Sequence, residues 1–132
     1  MSRTNFERLR VYKLSEGLAD AIWAIVERWP SFTKLTVGTR IVQAADSIGA
    51  NIAEGVRRRS YQEHRRFIRT ARGSLCETRH WLQQAFRRAL LMPGETTRLK
   101  GKLDVLAPQL SAYLDSIRKV TPESRKRKGT ND

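Results

Sequence analysis

An all-α fold, an up-down-up-down four-helix bundle, is what this 132-residue sequence predicts. Three observations carry the prediction. Apolar residues recur at three- and four-residue steps along four separate stretches, the period of one helix face. Short breaks containing Pro or Gly separate the stretches, which joins neighbouring helices antiparallel. Almost nothing alternates apolar with polar as a half-buried strand would. One domain is expected over residues 1–120, with a basic disordered tail over 121–132.

The first helix is expected from about Asn5 to Trp29, after a frayed Met1 to Arg3. Leu14, Leu18, Ala21, Ile22, Ile25 and Trp29 share one side, and Tyr12, Ala19, Trp23 and Val26 widen it. An apolar arc that wide serves two neighbours. Pro30 stops the helix, and Ser31 to Thr33 read as a short turn.

The second helix, roughly Thr33 to Glu54, buries Ile41, Ala45, Ile48 and Ile52. Beside them runs a polar seam at Arg40, Gln43, Ser47, Asn51 and Glu54, also three and four apart. Small residues (Ala44, Ala45, Ser47, Gly49, Ala50, Ala53) let a neighbouring backbone come close. Gly49 inside a helix costs about 1 kcal/mol against alanine, so it implies a packing reason. Gly55 is expected to end the helix in a left-handed cap.

Ser60-Tyr61-Gln62-Glu63 is an S-x-x-E capping box that opens a third helix. Its seam of Ile68, Ala71, Leu75, Thr78, Leu82, Ala85, Ala89 and Met92 makes it the longest, and Pro93-Gly94 stops it. Thirty or so residues make a rod of about 45–50 Å. The fourth helix, about Thr96 to Val120, repeats Leu99, Leu103, Leu106, Leu110, Tyr113 or Leu114, and Ile117. Pro108 lies inside it and should kink it.

Lys and Arg number 26 against 13 Asp and Glu, a net charge of +13 with a pI near 11.0. The excess is local: residues 1–54 carry +1, 55–90 carry +8, 91–117 carry 0 and 118–132 carry +4. Such a balance points to a polyanionic partner. On the third helix Arg65, Arg69, Arg72, Arg79 and Arg87 form a stripe over about 33 Å beside the apolar seam. Arg57, Arg58, Arg59 and Arg66 extend it, and Arg125, Lys126, Arg127 and Lys128 repeat the theme in the tail. Arginine's planar fork suits phosphate oxygens. A solvated face would mix charge signs, whereas only Glu63 and Glu77 stand against ten arginines in this stretch. Aromatics are not interleaved with the arginines, so stacking of single-stranded bases is not expected.

Chemistry is poorly supplied. Cys76 and His80 share a helix face, but no second pair has metal-ligand spacing, and one cysteine allows no intrachain disulfide. No catalytic residue, metal or cofactor is expected. The polar seam has a counterpart in Gly73, Ser74 and Glu77: Gly73 would let the second helix approach, and the side chains would hydrogen-bond across the interface. With no transmembrane span or signal-peptide pattern, a soluble, cytoplasmic protein with no membrane partner is expected.

Two motifs carry a family resemblance. Ser47-Ile48-Gly49-Ala50-Asn51-Ile52-Ala53-Glu54-Gly55, followed by Ala71-Arg72-Gly73-Ser74-Leu75-Cys76-Glu77, resembles the bacterial four-helix bundle proteins encoded by intervening sequences of large-subunit ribosomal RNA genes. The resemblance covers roughly residues 6–118. It implies a bundle that assembles as a homopentamer. It also implies a distant similarity to the accessory variability protein of diversity-generating retroelements, a basic barrel that binds nucleic acid and a reverse transcriptase. Carried over, Ser47, Gly49, Asn51, Glu54, Gly55, Gly73, Ser74 and Glu77 serve packing and assembly. This chain departs from the family at Gln43, where arginine is usual, and at Gly49, where proline is frequent.

The expected function is therefore non-enzymatic: an oligomer that binds RNA or DNA through backbone phosphates using the arginine-rich face. The alternative is an adaptor subunit that docks an acidic protein or a reverse transcriptase.

Overall fold

A computed structural model describes residues 9–118. Four helices form the bundle: α1 (Arg10–Val26), α2 (Thr39–Val56), α3 (Tyr61–Arg87) and α4 (Pro93–Ser116). No strand occurs among the described residues. Helix α1 packs on α2 and α4, and α3 packs on the same two, so the four close a square in up-down-up-down order. The pair α2–α3 is the most extensively packed. Residues 5–8 of the expected first helix and the tail, including Arg125, Lys126, Arg127 and Lys128, lie outside the described residues.

The core is the set the helical period selects. Leu18, Ile22, Ile41, Ile48, Ile52, Ile68, Leu99, Leu106 and Leu110 are fully buried, with Ala45, Ala71 and Ala85 as the small partners. Small residues set among large ones let helix axes approach.

The ends of several elements depart from expectation, each for a local reason. Helix α1 stops at Val26 rather than Trp29; Arg28 and Trp29 donate to the carbonyls of Ile25 and Val26, tightening the last turn. Ser31–Thr33 is a first helical turn rather than a loop, and it runs through a π-helix, Lys34–Gly38, into α2. Thr36 Oγ1 donates to the Phe32 carbonyl at 2.7 Å and Thr39 Oγ1 to that of Leu35 at 3.2 Å, bonds that compete with regular helix. Gly38 lets this wide turn close on α1, because a Cβ there would lie 2.7 Å from Val26 Cγ1.

Helix α2 continues through Gly55 to Val56 without a left-handed cap; no glycine among the described residues has positive φ. Gly55 is instead a contact point, where a Cβ would sit 3.1 Å from Phe67 Cβ and 3.2 Å from Ile68 Cδ1. Ser60 caps α3 as its motif requires, accepting from the Glu63 amide at 3.0 Å.

Helix α3 ends at Arg87, about 40 Å long rather than 45–50 Å. Ala89 takes φ 58°, and the Leu90 amide donates to the Ala85 carbonyl at 2.9 Å, a Schellman closure made without glycine. Ala89 and Met92 are accordingly exposed and leave the seam. Pro93 starts α4 rather than merely ending α3, at the position where a missing N–H costs nothing, and Glu95 Oε1 accepts from the Met92 amide at 3.0 Å. Helix α4 runs through the exposed Pro108.

Candidate nucleic-acid interface

The polar seam lies where α2 meets α3. The hydroxyls of Ser47 and Ser74 bond to each other at 2.9 Å, and Asn51 Nδ2 donates to the Ser47 carbonyl at 2.8 Å and its hydroxyl at 3.0 Å. Ser74 Oγ also donates to the Thr70 carbonyl at 3.1 Å. These half-buried groups satisfy one another and fix the register of the two helices. Gly49 faces α1 instead: a Cβ there would lie 3.0 Å from Ser15 Oγ and 3.5 Å from Tyr12 Cε1.

Three expected members do not cross this interface. Gly73 is exposed, and a Cβ on it would meet nothing within 4 Å, so it does not let α2 approach. The carboxylate of Glu77 is also exposed. Glu54 turns along its own helix to Arg57 at 3.5 Å and Arg58 at 3.1 Å. The reason is angular: Gly73 and Glu77 fall on the outward side of α3, one and three residues from the inward-facing Ser74.

At the α2–α3 connection the arginines are held in place. Arg66 Nη2 pairs with Glu63 Oε2 at 2.8 Å, and this hydrogen bond, with Arg58 adding its charge, keeps the Glu63 carboxyl below its ordinary value. The guanidinium carbons of Arg58 and Arg66 lie 4.8 and 4.6 Å from the Phe67 ring centroid. An aromatic therefore does stand among the arginines, contrary to the sequence reading. Phe67 and Arg58 are brought together only by the turn between α2 and α3.

The α3 stripe divides by role. Arg65 Nη1 donates to the carbonyls of Leu114 and Ile117, both at 2.9 Å, and so caps the C-terminus of α4. Arg87 donates to Gln84 Oε1 on its own helix. Arg59, Arg69, Arg72 and Arg79 are exposed, and among the described residues they make no ion pair or hydrogen bond. Four uncommitted guanidinium groups thus remain along α3 and its approach.

The remaining chemistry is sparse. Cys76 is exposed, and the His80 ring packs edge-on against Trp81, with centroids 4.9 Å apart. Among the described residues no three of His, Cys, Asp and Glu gather as metal ligands, and no helix is long and apolar enough to cross a membrane. His64 meets the Tyr113 hydroxyl at 3.0 Å, and burial lowers its pKa from the ordinary 6.5. On the opposite corner Asp46 is raised by burial and by Asp20, so acidic groups collect between α1 and α2 while arginines collect on α3.

Comparison with known proteins agrees with the motifs. A search of curated proteins returns no match. The model of the 23S rRNA-intervening sequence protein family matches residues 7–112, which takes in α1, α2, α3 and most of α4. With three helices, most of the fourth and both motifs inside that span, the chain belongs to the 23S rRNA-intervening sequence protein family.

Proposed function

We propose that this protein is a non-enzymatic, cytoplasmic, oligomeric bundle that binds RNA or DNA through backbone phosphates. The observation that carries the reading is the set of exposed arginines without carboxylate partners, Arg59, Arg69, Arg72 and Arg79. Arg57, Arg58 and Arg66 form a second tier, in which phosphate exchanges with Glu54 and Glu63. Exposed ion pairs are worth about 0–1 kcal/mol, so that exchange is easy. Contacts of this kind set affinity and orientation rather than sequence choice.

Replacing Arg69, Arg72 and Arg79 together by Gln tests the assignment by titration against labelled RNA and DNA duplexes. The expected result is weaker binding to every sequence alike, with Arg65→Gln altering stability instead. Unchanged affinity in the triple variant would remove α3 as the binding face.

A second reading, a protein contact that supports a homopentamer or an adaptor role toward an acidic partner or a reverse transcriptase, has its own observation. Trp23 (58% exposed) and Leu35 (73%) line an apolar groove of about 320 Å³ between α1, the π-helix and the start of α2, and Phe32 (79%) is exposed as well. Exposed apolar groups gathered in this way mark interaction surfaces. Trp23→Glu with Leu35→Glu should lower the mass measured in solution if copies meet there; an unchanged mass would assign the groove to another protein.

A further inference from the structure

We infer that the cleft between the π-helix, the start of α2 and the end of α3 is a discrete binding site for a phosphoryl group. It would be held by Arg40, Arg88 and Gln43, with the Trp81 indole in its wall. This site lies about 27 Å along α2 from Arg58 and shares no residue with the arginine stripe.

The cleft has a volume of about 530 Å³, and Leu35, Val37, Arg40, Gln43, Trp81 and Arg88 are among its lining residues. No carboxylate lines it. Both arginines are exposed, and neither makes an ion pair or hydrogen bond among the described residues. Trp81 lines the cleft, and its Nε1 marks a shortage of acceptors there. It is a buried donor without an acceptor, the one such side-chain atom among the described residues. Burying an indole N–H unpaired costs free energy, so native proteins almost always give it a partner.

An indole nitrogen can only donate, arginine can only donate, and the Gln43 amide has donors to offer as well. A ligand that satisfies this set must be rich in acceptors and negative. A tetrahedral phosphoryl group presents several oxygens at once, and two guanidinium forks grip it with charge-assisted bonds. The long, exposed arginine side chains can fold over an anion seated against the indole. The phosphoryl group comes either from a small phosphate ester or from a polynucleotide that also lies on α3.

Nuclear magnetic resonance of the ¹⁵N-labelled full chain reads the Trp81 indole N–H directly, with Trp81→Phe assigning its signal and Trp29 as the internal reference. Inorganic phosphate, pyrophosphate and a short RNA duplex are titrated separately, against chloride at matched ionic strength. The expected result is a saturable shift of the Trp81 signal with pyrophosphate, absent with chloride. Arg40→Gln with Arg88→Gln should weaken it about tenfold or more, while the Trp29 signal stays in place. A shift with pyrophosphate alone identifies a site for small phosphates, and a shift with RNA as well joins the cleft to the nucleic-acid surface. A Trp81 signal that ignores all three probes, follows chloride equally, or responds undiminished in the double variant overturns the assignment. Failure of RNA binding on α3 leaves the pyrophosphate result standing, so the two readings fall separately.

Discussion

Gly55 and Gly73 lack the same atom, with opposite consequences. A Cβ on Gly55 would press on Phe67 and Ile68 across the α2–α3 interface, whereas one on Gly73 would meet open space. Gly55→Ala should therefore destabilise by about 1–3 kcal/mol through overpacking. Gly73→Ala, in an exposed helix interior, should stabilise by up to about 1 kcal/mol. Urea midpoints of the two variants check both signs. In the sequence Gly55 reads as a helix cap and Gly73 as the point of close approach; in the fold the close approach is at Gly55 and Gly73 is open. Only the rotation of α3 about its axis separates them. His64 sets a pH dependence at the same scale. Its folded pKa lies below the ordinary value of 6.5, so the unfolded chain binds the proton more readily. The contribution of neutral His64 is complete above about pH 6.5 and declines as the pH falls toward the folded pKa. The urea midpoint should drop between about pH 7.5 and about pH 5.5, and His64→Gln should flatten that drop.

Helices were legible where the apolar period and the caps agree. The buried faces of α2 and α3 follow from Ile41, Ile48, Ile52, Ile68, Leu75 and Leu82, and Ser60 marks the start of α3 without ambiguity. Ser60→Ala should cost about 1 kcal/mol. The ends that escaped notice depend on atoms the period does not register. Ala89 adopts a conformation for which glycine is the usual signal, and the π-helix rests on threonine hydroxyls and the approach of Gly38 to Val26. Arg65 is the clearest case, because its partners lie 49 and 52 residues away. In the sequence it belongs to the arginine stripe; in the fold it closes α4. Arg65→Ala should lower stability by about 1–3 kcal/mol while changing the salt dependence of nucleic-acid binding little.

On the scale of the molecule, exposed apolar surface gathers at one end of the bundle, while arginines stand at both. The connection α2–α3 and the C-terminus of α4 share one end, with Arg57, Arg58, Arg59 and Arg66. The π-helix and the α3–α4 connection share the other, with Phe32, Leu35 and Met92 exposed. Five copies of a chain carrying +13 would repel one another strongly, so an assembly of this kind needs a polyanion close by. The net charge announced that need from composition alone, but not which arginines are uncommitted, because that depends on where Glu54, Glu63 and the α4 carbonyls lie. The direct test is the affinity of the full chain for an RNA or DNA duplex across a salt series, beside the variant with Arg69, Arg72 and Arg79 replaced by Gln. Phosphate binding predicts a log–log plot that falls steeply with salt, with a slope shallower by about 3 in the variant. An affinity indifferent to salt, or an identical slope in the two proteins, would contradict it.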